Sequence, residues 1–439
     1  MFWLELIIVL LMLIIGARRG GIFLGMMGGV GMAILVFGLQ LTPSAPPVNI
    51  LLIIISVILA ASTMQAAGGM EYMVGLAESL LRKNPARITF LAPIVAYLFS
   101  FMTGTANVVF SLLPVIAEVA RESGIRPERP LVSAVIATQL VIIASPLSAA
   151  IAAMVGFLAP LNITLIDILM VTIPATIVGV LAGAFYCSRM GKDLDKDPEY
   201  LERLANGEVP PLAIKEYSKT PFAQEAKSSV LLFLLGAIVV VLMGTSPSLR
   251  PTLNYAGKAE ILSMPLTITI VMIAIAAIMV LVCRVNVSKI VEGTVFKSGM
   301  MAVVIVLGVA WMSDTVAAAN NTLITGSLKA MVSSYPWLFT FALAAVATLT
   351  ASQAVTTAAL MPIGLMLGIP GSILLGLFPA VACCFILPTS SSMVACVALD
   401  STKTTKIGKY VVNNSYVLPG LFAMVVSIIV GSLLARLVF

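Results

Sequence analysis

Thr103, Gly104, Thr105 and Asn107 interrupt a long apolar run with groups that can hydrogen-bond a ligand, and Pro114 closes the interruption. Ser352 and Gln353 interrupt a second run, closed by Pro362 at the separation that also divides Gly104 from Pro114. Two further interruptions carry Ser145-Pro146 with Ser148, and Leu387-Pro388 with Thr389 and Ser390. Nearby polar residues are Ser111, Gln139, Thr356, Thr357, Ser391 and Ser392. These side chains are hydroxyls and amides, suited to holding a solute rather than transferring a proton. A cation exchanger or proton pump would be expected to keep carboxylates at mid-membrane. The candidates Asp167, Asp314 and Asp400 instead fall at span ends.

The chemistry that remains favours an anion. Each broken element starts a new half-helix, with roughly +0.5 charge at its N-terminus. Two such ends offset about one unit of charge, so a dianion needs more N-termini, bound cations or hydrogen bonds. Opposing C-termini and freed carbonyls suit Na⁺. The plainer alternative is that these Ser and Thr residues only satisfy carbonyls freed by the breaks.

The elements that position these residues must cross lipid. Hydrophobic residues make up 60% of the 439 residues and charged ones 10%, a composition that leaves a soluble domain without a solvated surface. Runs of roughly 18 or more apolar residues recur, each long enough for a core of about 30 Å. No histidine is present, which excludes a His-ligated metal and a His general base. No phosphate-binding loop appears, so the chain does not power itself with ATP. No nucleophile–base constellation is visible, no cofactor is implied, and the chain reads as a non-enzyme with no nucleic-acid partner. Cys187, Cys283, Cys383, Cys384 and Cys396 read as small buried residues. The Asp193-Leu-Asp-Lys-Asp197 cluster lacks the Gly and Glu of a calcium loop and reads as a solvated charge run. The net charge of +6 decides nothing by itself.

Loop charge orders the spans. Residues 2–17 precede Arg18 and Arg19, which argues for a first helix with its N-terminus outside. Gly21, Gly25 and Gly29 give span 21–40 a face of small residues for close packing. Span 48–67 precedes an amphipathic surface segment, 68–84. Basic residues flank 87–121 on both sides, so its two arms, each about 14 residues, form a re-entrant hairpin rather than a span. Residues 130–158 form a broken helix, with Pro146 opening its second half. Span 164–187 and a cytoplasmic loop, 188–228, follow. The second half repeats the plan through spans 229–246, 264–283 and 296–314. A surface segment, 317–335, a hairpin, 336–367, a broken helix, 371–398, and a last span, 412–437, complete it. The expected fold is an all-α polytopic membrane protein with an inverted repeat, residues 1–187 and 229–439. Each half has about five spans, giving about ten crossings in all, besides two hairpins. Both termini lie outside.

Several stretches resemble the Dcu family of anaerobic C4-dicarboxylate transporters. They include Gly16-Ala-Arg-Arg-Gly-Gly-Ile22, Gly104-Thr-Ala-Asn107, Arg126-Pro-Glu-Arg-Pro130, Ala144-Ser-Pro-Leu-Ser148, Ser352-Gln-Ala354 and Ile386-Leu-Pro-Thr389. The resemblance covers nearly the whole chain, with its motifs in order. It implies a bacterial inner-membrane carrier that takes up fumarate, malate or aspartate in exchange for succinate. The family often continues Leu-Pro-Thr with Tyr-Pro, where this chain has Ser390-Ser391, and its Gly-Thr-Thr stands here as Lys403-Thr404-Thr405. The hairpins and broken helices also look like the wider ion-transporter superfamily, which implies an elevator in which 87–158 and 336–398 move. The expected substrate site is Thr103, Gly104, Thr105, Asn107, Ser145, Pro146, Ser148, Ser352, Gln353, Pro388, Thr389 and Ser390, with Na⁺ or H⁺ as candidate coupling ions. A carrier for citrate or an amino acid, or an anion channel, stays open, as does a homodimer.

Overall fold

The structure, a computed structural model, describes residues 2–19, 22–209, 222–255, 258–320, 337–350, 352–386, 390–407 and 414–439. The chain opens with helices α1 (Phe2–Arg19) and α2 (Ile22–Ala33), the latter running into a π-turn at Ile34–Gly38. Helix α3 (Val48–Ala66) meets α4 (Gly69–Lys83) at a 71° bend, as the expected change from span to surface segment requires. Helix α4 buries Met70, Met73, Ala77 and Leu81. Its Arg82 lies 3.0 Å from each of Glu78, Glu118 and Glu122.

Next come α5 (Ile88–Thr103) and α6 (Val109–Glu122), joined by a turn, then α7 (Glu128–Val141), α8 (Ala149–Leu158) and α9 (Leu165–Cys187). The first arm is longer than expected: with its 3₁₀ start it covers Pro85–Thr103, 19 residues, enough to span by length and composition. Pro114 does not close the interruption but lies inside α6, as Pro362 lies inside its own helix. At these interior positions each proline removes one i→i−4 backbone hydrogen bond. Thr164 and Asp167 form a capping box at the start of α9, so Asp167 has a local role there.

Residues 190–197 fold back onto the start of α7 before the short helix α10 (Pro198–Ala205). The Asp193–Asp197 cluster is therefore only partly a solvated run: Asp195 and Lys196 are exposed, whereas Asp197 is not. Asp197 is buried and pairs with Arg126, which also holds Glu128 at 2.6 Å. Arg129 reaches Asp193 at 2.7 Å and donates to the Met190 carbonyl at 2.7 Å. Burying Arg126 without a counter-charge would be costly, and these carboxylates supply it.

The second half holds α11 (Gln224–Thr245), strands β1 (Thr252–Tyr255) and β2 (Lys258–Ile261), α12 (Met264–Val282), α13 (Val287–Glu292) and α14 (Thr294–Ile305). The antiparallel pair β1–β2, with Thr252 opposite Ile261, departs from the all-α expectation. A π-turn at Val306–Ala310 joins α14 to α15 (Trp311–Ala319), and Asp314 lies two residues from the end of the apolar span Thr294–Val316, as expected. Then follow α16 (Leu338–Thr350), α17 (Gln353–Met366), α18 (Gly371–Leu377), a 3₁₀ segment Phe378–Ala382, α19 (Ser391–Leu399) and α20 (Val417–Val438). Most of the expected surface segment 317–335 lies outside the described residues.

Among the described residues, six helices are long and apolar enough to cross a membrane, or seven if the bent pair counts as one span. The expected count was higher because it gave crossings to 2–17, 21–40, 130–158 and 371–398, which are not among these six; Ile22–Gly38, Ala149–Leu161 and Gly371–Ala382 fold as shorter apolar helices. Helix α9 packs along α20, α7 on α5 and α9, and α12 on α3 and α11. The small-residue face of α2 is only partly the one expected, since Gly25 packs closely but Gly29 does not. Gly29 meets nothing, whereas a Cβ on Gly25 or Gly28 would lie 2.4 Å from backbone atoms of Val304 or Gly308. Residue 21 lies outside the described residues. All five cysteines are buried and free.

Candidate substrate site

Helix α7 ends at Val141 and α8 begins at Ala149; the chain between them, 142–148, is buried throughout. Buried unwound backbone must find partners. Ser145 Oγ donates to the Phe101 carbonyl at 2.6 Å and accepts from Leu147 N at 3.3 Å. Ser148 caps α8 by accepting from Ile151 N at 3.1 Å. Pro146 therefore does not open the helix; it precedes Ser148, whose hydroxyl satisfies an N–H that proline cannot.

The turn after α5 packs against this break. Gly104 has φ +67°, and a Cβ there would lie 2.4 Å from the Leu147 carbonyl oxygen. Thr103, Gly104, Thr105, Leu147, Ser148 and Ala149 line one side of a 130 Å³ cavity. Residues of α3 and α14, among them Ile54, Val57 and Gly299, close the other side. Thr103 is buried, and its Oγ1 donates to the Phe99 carbonyl at 2.9 Å. Asn107 falls in the 3₁₀ turn Ala106–Val108, and only its backbone is described.

The second half is stitched in a similar way. Thr348 Oγ1 on α16 lies 2.8 Å from the Cys383 carbonyl in the break after Phe378–Ala382. Ser352 caps α17 by accepting from Val355 N. Thr356 and Thr357 bond carbonyls one turn back, at 2.9 and 2.7 Å. Pro388 and Thr389 lie outside the described residues.

Gln139, Gln353, Ser390 and Ser392 form a separate buried cluster joining the two halves. Gln353 Nε2, at the first position of α17, donates to Gln139 Oε1 on α7. Gln139 Nε2 lies 3.4 Å from both Ser390 Oγ and Ser392 Oγ, which are 2.8 Å from each other. The packing around these groups is reciprocal: α8 lies on α17, and α6 lies on α19.

Of the expected residues, Thr103, Gly104, Thr105 and Ser148 share the cavity, while Ser145 and Pro146 lie in the break beside it. Gln353 and Ser390 meet through Gln139. The two groups are linked by α7 and the α8–α17 packing rather than by a described side-chain contact. Gln139 and Ser392 were not among the expected site residues; the available signal was an amide within an apolar run and a serine next to a break. For Thr103, Ser145, Ser148 and Ser352, the structure shows bonds that satisfy local backbone. Among the described residues, no group of three His, Cys, Asp or Glu could hold a metal.

Long apolar helices, buried backbone breaks and neutral polar groups where the halves meet are features of secondary transporters. The fold resembles the YdaH transporter of Alcanivorax borkumensis (TM-score 0.56, 13% identity, 88% of this chain and 84% of that one). It also resembles MtrF of Neisseria gonorrhoeae (TM-score 0.57, 15% identity, 92% and 84%).

Sequence comparison is more specific. The anaerobic C4-dicarboxylate membrane transporter family matches residues 1–439, and the chain belongs to it. It is 39% identical over 431 residues to the C4-dicarboxylate transporter DcuA of Wolinella succinogenes, covering 98% of each chain. It is 39% identical over 448 residues to the anaerobic C4-dicarboxylate transporter DcuB of Escherichia coli O157:H7, covering 100% of this chain and 99% of that one. These relatives are transporters, not enzymes, and the protein is a multi-pass membrane transporter.

Proposed function

We propose that this protein is a secondary active carrier of C4-dicarboxylates, taking up fumarate, malate or aspartate in exchange for succinate by alternating access in a bacterial inner membrane. The observation that carries this reading is the buried meeting of the two halves at Gln139, Gln353 and Ser390, linked through the α8–α17 packing to the cavity at Gly104 and Ser148. The groups there are neutral side chains that can donate hydrogen bonds to an anionic solute. Helices α17 and α19 start at this cluster, and α8 starts at the cavity, so three N-termini with partial positive charge lie near the proposed path.

In this reading α5–α6 and α16–α17 are re-entrant hairpins of an inverted repeat, with both chain termini outside. Residues 87–158 and 336–398 move together as an elevator. Helix α4 acts as a linking arm, and the Arg82 pairs to Glu118 and Glu122 couple it to α6. The freed carbonyls at the breaks suit Na⁺, with H⁺ as the other candidate coupling ion.

The test is labelled succinate exchange in proteoliposomes, competed in turn by fumarate, malate, aspartate and citrate, with and without Na⁺ and a pH gradient. Competition by the four-carbon dicarboxylates, and none by citrate, is the expected result. Ser352→Ala and Gln353→Leu are expected to reduce exchange at least about tenfold while the protein still inserts and purifies. Normal exchange in both variants would move the site elsewhere.

A further inference from the structure

The orientation of Gln139 determines what the serines beside it can offer a substrate. A glutamine amide has one acceptor oxygen and two N–H donors, and a serine hydroxyl has one donor and two acceptor positions. On α7, Gln139 Oε1 accepts from Gln353, so its Nε2 faces Ser390 and Ser392 as a donor. Both hydroxyls therefore accept from the amide. They also bond each other at 2.8 Å, which uses one of their two O–H groups. The second O–H remains as a donor, with no other partner among the described residues. A carboxylate is the natural acceptor for it.

We infer that Gln139 is a positioning residue for substrate carboxylate recognition, an inference that rests on the transport reading above. It acts through its neighbours: its oxygen fixes the amide of Gln353, and its nitrogen turns the serine pair outward as a donor. It also lies in the first half of the chain while all three partners lie in the second, so it sets their orientation only when the halves are together. The alternative is a buried glutamine that merely completes the packing.

Gln139→Glu separates the two. It keeps the shape and still accepts from Gln353, but a carboxylate accepts only, so the serines turn their O–H groups toward it and lose the outward donor. Gln139→Leu removes both roles, and Ser392→Ala removes one hydroxyl. Labelled succinate exchange is measured in proteoliposomes across substrate concentration for the wild type, these three variants and the Gln139→Leu/Ser392→Ala double variant. The expected result is a KM raised at least about tenfold in Gln139→Glu and Gln139→Leu, with maximal rate changed less than about threefold. The double variant should be no worse than Gln139→Leu alone, because the glutamine acts through the serine pair, which without it has already lost its outward orientation. An unchanged KM, or effects of Gln139→Leu and Ser392→Ala that multiply, would overturn the inference. If Gln139→Leu fails to insert, the isosteric Gln139→Glu decides the question by itself. A wild type that does not exchange dicarboxylates would remove the transport reading and this inference with it, an outcome distinct from any variant effect.

Discussion

Gly104 combines a left-handed backbone with contact against the Leu147 carbonyl, and each demand by itself favours glycine. Gly104→Ala is expected to lose roughly 2 kcal/mol or more of stability, from left-handed strain plus overpacking. Thermal unfolding in detergent checks this, and an unchanged melting temperature would contradict it. Lys403 presents the opposite case, a non-glycine residue at φ +55°. It stands where the family resemblance places the glycine of Gly-Thr-Thr. Its ammonium lies 3.4 Å from Glu208, with both side chains about half exposed, so that pair contributes little. Lys403→Gly is expected to raise stability by up to about 1 kcal/mol, the relieved strain being partly offset by unfolded-state entropy; a lowered melting temperature would count against this. The residue types at the breaks were legible in the sequence, but their partners were not. A threonine that bonds the carbonyl one turn back, as Thr103 does, has the same sequence signature as one that bonds a ligand. Gln139 was noted among the polar residues near the breaks but not placed in the site, because only the folded chain brings Gln353 to it.

At the scale of elements, polar residues within apolar runs located the turn at Gly104, the break at 142–148 and the break after Phe378–Ala382, and composition located the bent α3–α4 pair. These signals were weaker where the outcome depends on a distant partner. Three glycines within two turns of α2 cannot rank their faces until α14 is in place, and the contact then falls at Gly25 and Gly28 rather than at Gly29. Gly28→Val is expected to force α2 from the Gly308 backbone and lower thermal stability and monodispersity. Gly29→Val, facing open space, should leave both unchanged. Equal effects in the two variants, by size-exclusion profile and melting temperature, would refute that packing. In the Asp193–Asp197 segment the pairing of Asp193 and Asp197 was missed for a similar reason: local sequence shows the charges, whereas Arg126 and Arg129 lie more than sixty residues earlier. The β1–β2 pair is too short to register against the surrounding apolar helices.

For the whole molecule, the cross-packing of α8 on α17 and α6 on α19 interlocks the two halves of the chain. A site shared between interlocked halves fits a carrier, in which substrate binding and rearrangement are coupled. An open pore would need no such coupling. Counterflow tests this most directly: proteoliposomes preloaded with unlabelled fumarate are diluted into a trace of labelled succinate at no net gradient of charge. Preloading should accelerate labelled uptake and produce a transient overshoot above equilibrium. Uptake that is indifferent to the internal dicarboxylate, with no overshoot, would contradict the carrier mechanism.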